Sequence, residues 1–212
     1  MFDKIKNKLT GEKTSKSSRT LEKIDQLLIG DMLEMSDSFG LPPNIRDQTF
    51  EVISIDSYYY DERLETEWTL QGGSKEPIFL SLDENSNNLT AVLSMQLKKK
   101  NVDYIMGWGA LLAILNSDEC NDIELINTDI FDGWLSERYY CDEFNEEASY
   151  LDGDQRHSTI SHNNREVFQY FKFSAQNEKQ FLEIERWSKN EIDVFVSILR
   201  PVSDIKELWP KA

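Results

Sequence analysis

Three neighbouring stretches decide the fold: Val167-Phe168-Gln169-Tyr170-Phe171-Lys172-Phe173, Phe181-Leu182-Glu183-Ile184-Glu185-Arg186-Trp187 and Ile192-Asp193-Val194-Phe195-Val196-Ser197-Ile198-Leu199. The first two alternate between apolar and polar residues, and the third is rich in β-branched residues, as half-buried strands are. The links Gln176-Asn177-Glu178 and Ser188-Lys189-Asn190 are short and polar, so the three strands predict an antiparallel meander. Pro201 ends it, and Asp204–Leu208 predicts a last helical turn before Trp209-Pro210.

Upstream the same period recurs. Met32-Leu33-Glu34-Met35 predicts a strand and Gly40-Leu41-Pro42-Pro43 a turn. Phe50-Glu51-Val52-Ile53-Ser54-Ile55 alternates except at one step, Glu67-Trp68-Thr69-Leu70 continues the pattern, and Gln71-Gly72-Gly73-Ser74 breaks it. Pro77–Leu82 and Leu89–Leu97 add two strands. The link Asp83-Glu84-Asn85-Ser86-Asn87-Asn88 reads as a hairpin turn. It lacks the sixth-position glycine of a calcium loop, and Ser94 stands where the bidentate glutamate would be. Helical spacing predicts a helix on Leu21, Ile24, Leu27 and Leu28, stopped by Gly30, and a core helix on Ile105, Trp108, Leu112 and Leu115. The fold class expected is therefore α+β and β-rich, with antiparallel sheets in two units and a few short helices. The units are 21–116 and 117–212 after a leader and linker at 1–20, or one continuous domain.

The chain has 212 residues, 39% hydrophobic and 29% charged, which is a globular composition with enough length for a sizeable core. Its net charge is -16, so duplex nucleic acid is a poor partner. The charge is divided. Residues 1–30 carry +3 and the remainder -19, and 117–154 holds thirteen acids against the single base Arg138. In the basic leader, Phe2, Ile5 and Leu9 fall on one helical face beside Lys4 and Lys8. This predicts a weak contact with a membrane surface or a partner. No secretory signal is evident, and the longest uncharged stretch, Tyr104–Ser117, is too short to cross a bilayer. Two cysteines, Cys120 and Cys141, outside any C-x-x-C pair, read as reduced thiols in a cytoplasm.

No G-x-S-x-G, H-E-x-x-H or P-loop signature occurs, and Gly107-Trp108-Gly109 is no dinucleotide loop because Leu112 replaces the third glycine. Asp152, Asp154, His157 and His162 gather carboxylates with both histidines of the chain, a donor set for a divalent metal or acid–base work. Their spacing matches no metal signature, so the segment reads as a polar loop, with a metal-dependent enzyme as the alternative. The aromatic residues Tyr58, Tyr59, Tyr60, Trp134, Tyr139 and Tyr140 are candidates for a partner or ligand surface. Successive strand residues face opposite sides, so at least one ring of Tyr58-Tyr59-Tyr60 points away from the core. No cofactor is implied.

The stretches Asp132-Gly133-Trp134-Leu135-Ser136-Glu137-Arg138-Tyr139-Tyr140, Gly153-Asp154-Gln155-Arg156 and Leu199–Pro210, with the leader Met1–Lys6, resemble an uncharacterised bacterial family typified by the YjfK protein. The resemblance runs from about residue 30 to the end of the chain and transfers no active site. It implies a cytoplasmic accessory protein of membrane-stress physiology, encoded near a phage-shock-protein-A-like effector. The function expected is thus non-enzymatic binding. An acidic, aromatic surface would meet a protein partner, which the resemblance suggests is that effector, and the leader would add peripheral contact at the inner membrane face. A third reading is an acidic decoy for a nucleic-acid-binding protein.

Overall fold

Eleven strands form one antiparallel sheet in the computed structural model, which describes residues 19–60, 63–83, 89–157 and 165–211. They are β1 (Met32–Met35), β2 (Thr49–Tyr60), β3 (Arg63–Gln71), β4 (Ile78–Asp83), β5 (Thr90–Gln96), β6 (Ile123–Glu124), β7 (Arg138–Leu151), β8 (Arg165–Ala175), β9 (Gln180–Arg186), β10 (Ile192–Pro201) and β11 (Ile205–Trp209). Their order is β11-β1-β2-β3-β4-β5-β10-β9-β8-β7-β6, and β2 also pairs with β7. That extra ladder, Ser57–Tyr60 against Ala148–Leu151, closes a ring of eight strands: β2, β3, β4, β5, β10, β9, β8 and β7. The β-rich antiparallel class is as expected. The division into two units is corrected: β5 pairs with β10 and β2 with β7, so both halves of the chain interleave in one sheet.

The two faces of this ring differ sharply. Trp68, Leu80, Leu93, Val196, Leu182 and Phe171 point outward and are buried. A layer of connections covers them, and Leu27, Leu41, Val102, Ile105, Leu111 and Trp134 join them in one continuous apolar cluster. The opposite side chains on the same strands, described below, point inward. One irregularity aligns the two faces. Val52 pairs with Leu70 but Ser54 with Thr69, so Ile53 is an extra residue. This β-bulge lets both Val52 and Ile55 reach the apolar layer while Ile53 is exposed. It is the step at which the sequence alternation failed.

Three local expectations are corrected. First, the segment around Leu21–Leu28 contains only a 3-10 turn, Ile24–Gln26. The carbonyls that would propagate a helix are taken by side chains from the barrel. Leu27 O accepts from Trp68 Nε1 at 3.3 Å and Arg156 Nη2 at 2.9 Å, and Asp25 O accepts from Arg156 Nη1. Second, the core helix is two helices, α1 (Lys99–Met106) and α2 (Trp108–Leu115). Gly107 separates them at φ +79, a value that glycine adopts without cost. Third, Asp204–Leu208 is mostly strand β11, which pairs with the otherwise free edge of β1. The hairpin expected at 84–88 lies outside the described residues. The flanking β4 and β5 do pair, with Asp83 opposite Thr90.

Cys120 and Cys141 are joined in a disulfide, with 5.9 Å between their Cα atoms. This corrects the reading as two reduced thiols. The bond ties the covering segment before β6 to β7. By loop-closure entropy a bridge over this span contributes roughly 3 kcal/mol. Thiol titration of the denatured, unreduced chain should find no free thiol, and reduction should lower the urea midpoint accordingly. Arg156, which also forks onto Asp154 at 2.6 and 2.8 Å and lies over the Trp68 ring, holds the residue 24–27 segment to the barrel. Arg156→Ala should therefore cost about 1–2 kcal/mol in urea unfolding, because Asp154 and the Asp25 carbonyl lose their partner while Leu27 O keeps Trp68 Nε1.

Candidate functional site

The inward side chains enclose a lumen. Strand register determines which they are. Tyr58 lies opposite both Glu65 and Tyr150, Asp56 opposite Glu67, and Ser81 opposite Val92. Ser94 lies opposite Ser197, Glu183 opposite both Phe195 and Lys172, and Glu185 opposite Tyr170. The result is two adjoining chambers of about 90 and 50 Å³. All eight strands of the ring contribute to the larger one, and Tyr60, Glu65, Ser81, Val92, Tyr170 and Glu183 line both. Arg63 and Lys172 stand in the larger chamber with Glu65, Glu143, Glu183 and Asp83. The smaller chamber holds Glu65, Glu67, Glu183 and Glu185, and no base lines it.

Hydrogen bonds fix part of this lining. The Glu183 carboxylate accepts from the Tyr170 hydroxyl and from Ser197 Oγ, and Ser197 shares a 2.9 Å hydrogen bond with Ser94 Oγ. Asp56 accepts from Tyr150 Oη at 2.9 Å and Ser54 Oγ at 2.8 Å. The rings pack as a wall: Tyr60 to Tyr170 at 4.9 Å, Tyr58 stacked on Tyr60 at 6.0 Å, and Phe79 edge-on to Phe195 at 5.6 Å between centroids. Glu67 differs from these groups. It is partly buried and lines the smaller chamber, and none of the hydrogen bonds described above reaches its carboxyl.

Crowding acids into a low-dielectric space raises their affinity for protons. Burial, reinforced by Asp56, Glu183 and Glu65, pushes the Glu67 carboxyl up to about 8. Burial, then Glu67, Asp193 and Glu183, raises Glu185 well above the carboxylate range. Burial also raises Glu65, which Arg63 partly offsets. The phenols of Tyr58, Tyr60 and Tyr170 are raised too, first by burial and then by neighbouring acids, so they stay protonated and able to donate.

The sequence-predicted residues scatter. Tyr58 and Tyr60 point into the lumen, and Tyr59, on the opposite face, lies under the Arg165 guanidinium at 4.4 Å. Trp134 and Tyr139 are corrected from surface to core. Trp134 is buried with its Nε1 donating to Asn44 Oδ1 at 2.8 Å, and the Tyr139 hydroxyl accepts from the Ser136 amide at 3.0 Å. Tyr140 is exposed, beneath Arg138. Asp154 is committed to Arg156, which holds its carboxyl below the usual range, while Asp152 falls on the bend before it and His157 on the turn after it. His162 and the leader residues Phe2, Lys4, Ile5, Lys8 and Leu9 lie outside the described residues. Among the described residues no group of three or more His, Cys, Asp or Glu is placed to hold a metal ion, and no helix is long and apolar enough to cross a membrane.

Sequence reasoning missed Glu65, Glu67, Glu183, Glu185, Tyr170 and Lys172, because the polar side of an alternating strand reads as the water side. The available signal was the interleaving of aromatic residues with acids on that side, as in Phe181, Glu183, Glu185 and Trp187. Comparison of the chain with protein-family models, with curated proteins and with solved structures finds no match.

A carboxyl with a folded-state pKa above its unfolded one stabilises the fold below the unfolded pKa, and that contribution is lost as pH rises through the folded value. For Glu67 the window runs from its ordinary value near 4.5 to about 8. Thermal melts of the wild type should therefore fall between pH 5 and pH 8.5. Glu67→Gln should flatten the fall and raise the midpoint at pH 8.5 by roughly 3–6 °C, the equivalent of about 1–2 kcal/mol in a chain this long.

Proposed function

We propose that this chain is a non-enzymatic binding protein whose ligand occupies the barrel lumen. The supporting observation is the cavity itself, a pocket drawn from every strand of the ring, aromatic on its walls, with carboxyls and phenols converging on it. Ligand sites combine apolar walls with a few directed polar groups in this way, and barrel interiors are a common place for them. Eight strands suffice to hold one small ligand. Catalysis has less support, since Asp154 of the Asp/His loop is spent on Arg156.

A second reading, attraction of a basic protein partner, draws on the exposed acids Asp142, Glu146 and Glu147 along β7 and on the net charge of the body. It is compatible with an accessory role of the kind the YjfK-like resemblance implies, with a phage-shock-protein-A-like effector as partner. Acidic surfaces of this kind speed the encounter with cationic proteins.

Ser81 lines both chambers, so Ser81→Trp should fill the lumen. A thermal-shift screen of small polar metabolites should yield compounds that raise the melting temperature of the wild type. None of them should act on Ser81→Trp, with circular dichroism confirming its fold. Hits that stabilise both proteins equally would place the ligand elsewhere.

A further inference from the structure

On β11, β1 and β2 the sheet runs on past the ring, and the face turned from the apolar layer is exposed. Met32 lies opposite Trp209 and Glu51, and Glu34 lies opposite Glu207. Directly opposed side chains share a face. The other face carries Leu33, Phe50 and Leu208, which pack in the core. Met32 is 42% exposed and Trp209 37%. Ile53, two residues beyond Glu51 at the bulge, is 46% exposed. Exposed Ile29 comes up beside β2, because the Gly30 amide donates to Val52 O at 2.7 Å. Apolar side chains gathered in this way mark an interaction surface. Glu34, Glu51 and Glu207 stand among them. Lys206 pairs with Glu34 at 2.7 Å and Lys211 lies against Gly30, but no salt bridge reaches Glu51 or Glu207 among the described residues.

This face calls for an occupant that is both apolar and basic. A second copy of the same face would set Glu51 and Glu207 against like charges, and an anionic membrane surface would be repelled in the same way. The chain carries a fitting segment of its own. In residues 1–9, Phe2, Ile5 and Leu9 are spaced to share one helical face, with Lys4 and Lys8 beside it and Asp3 the only acid. The tether ends at the right place. Arg19, the first described residue, pairs with Asp31 and donates to Gln26 O at 2.9 Å, and Asp31 immediately precedes Met32. Residues 10–18 reach up to about 30 Å, more than the width of three strands, about 10 Å. We propose that the leader folds back on its own chain, seating Phe2, Ile5 and Leu9 over Met32, Ile53 and Trp209 and setting Lys4 and Lys8 against Glu51 and Glu207. Held there, the leader is closed to a membrane surface or a partner, and either must displace it.

Two measurements on the full chain test this. A carbodiimide, which joins lysines to carboxylates in contact, is applied to an equal mixture of unlabelled and isotope-labelled protein. Cross-links from Lys4 or Lys8 to Glu51 or Glu207, each within a single chain, are expected. Acrylamide quenching of Trp209, taken as the difference from Trp209→Phe, should rise in the variant Phe2→Ser/Ile5→Ser/Leu9→Ser, and the cross-links should be lost. Ile53→Lys, a change at an exposed position of the body, should have the same effect, with circular dichroism confirming its fold. Cross-links that join labelled to unlabelled chains would give the site to the leader of a second copy and overturn the proposal. Trp209 quenching that the leader variant leaves unchanged would overturn it whatever the cross-links. Protection of Trp209 that arises only when phosphatidylglycerol vesicles are added would assign the leader to the membrane and overturn it too.

Discussion

Everything in this molecule depends on four residue pairs. Ser57–Tyr60 meets Ala148–Leu151, and that ladder turns an open sheet into a ring. Without it, the Glu65, Glu67, Glu183 and Glu185 side chains would face bulk water, where carboxylates ionise freely and interact weakly. With it, they share a small volume and press protons onto one another. The ladder has its own local support. Ser57 Oγ donates to Gly153 O at 3.0 Å and accepts from the Gln155 amide at 3.1 Å, and Tyr150 reaches across to Asp56. The turn after β7 is thereby pinned to the middle of β2.

The barrel inverts the usual arrangement. Its fully apolar face is outside, against α1, α2 and the long connections, and the inner face mixes carboxyls and hydroxyls with aromatic rings. Outward burial of side chains such as Leu182, Ile184 and Phe173 supplies the transfer free energy of the fold, about 1.5–3 kcal/mol for each. The lumen works against it, since enclosed acids are costly. Stability and binding are thus allotted to opposite sides of the same strands, and a substitution in the lumen can change one with little damage to the other.

Much of this was legible from alternation. The strands of the meander and of the N-terminal half stand where the period placed them. The bulge at Ile53 was visible as a flaw in the pattern, though its effect on facing was not. Ring closure left no mark in the sequence, because β2–β7 and β5–β10 pairing depends on how the sheet coils in three dimensions. The short 24–26 turn was misread as a helix because its carbonyl partners, Arg156 and Trp68, lie far along the chain. Alternation separates Tyr59 from Tyr58 and Tyr60, but the latter two pack against Ala148, Phe168 and Tyr170 inside the ring rather than on an open surface.

The ring also bears on how the chain reaches its native state. The pairing of β5 with β10 joins residues about a hundred positions apart, for example Ser94 with Ser197. Such distant contacts bring slow folding, because loop closure comes before its reward. During that delay the unclosed sheet presents acids and phenols on its concave side. Like-charged chains at that stage repel one another, so the groups that line the finished cavity also guard the half-folded chain against aggregation.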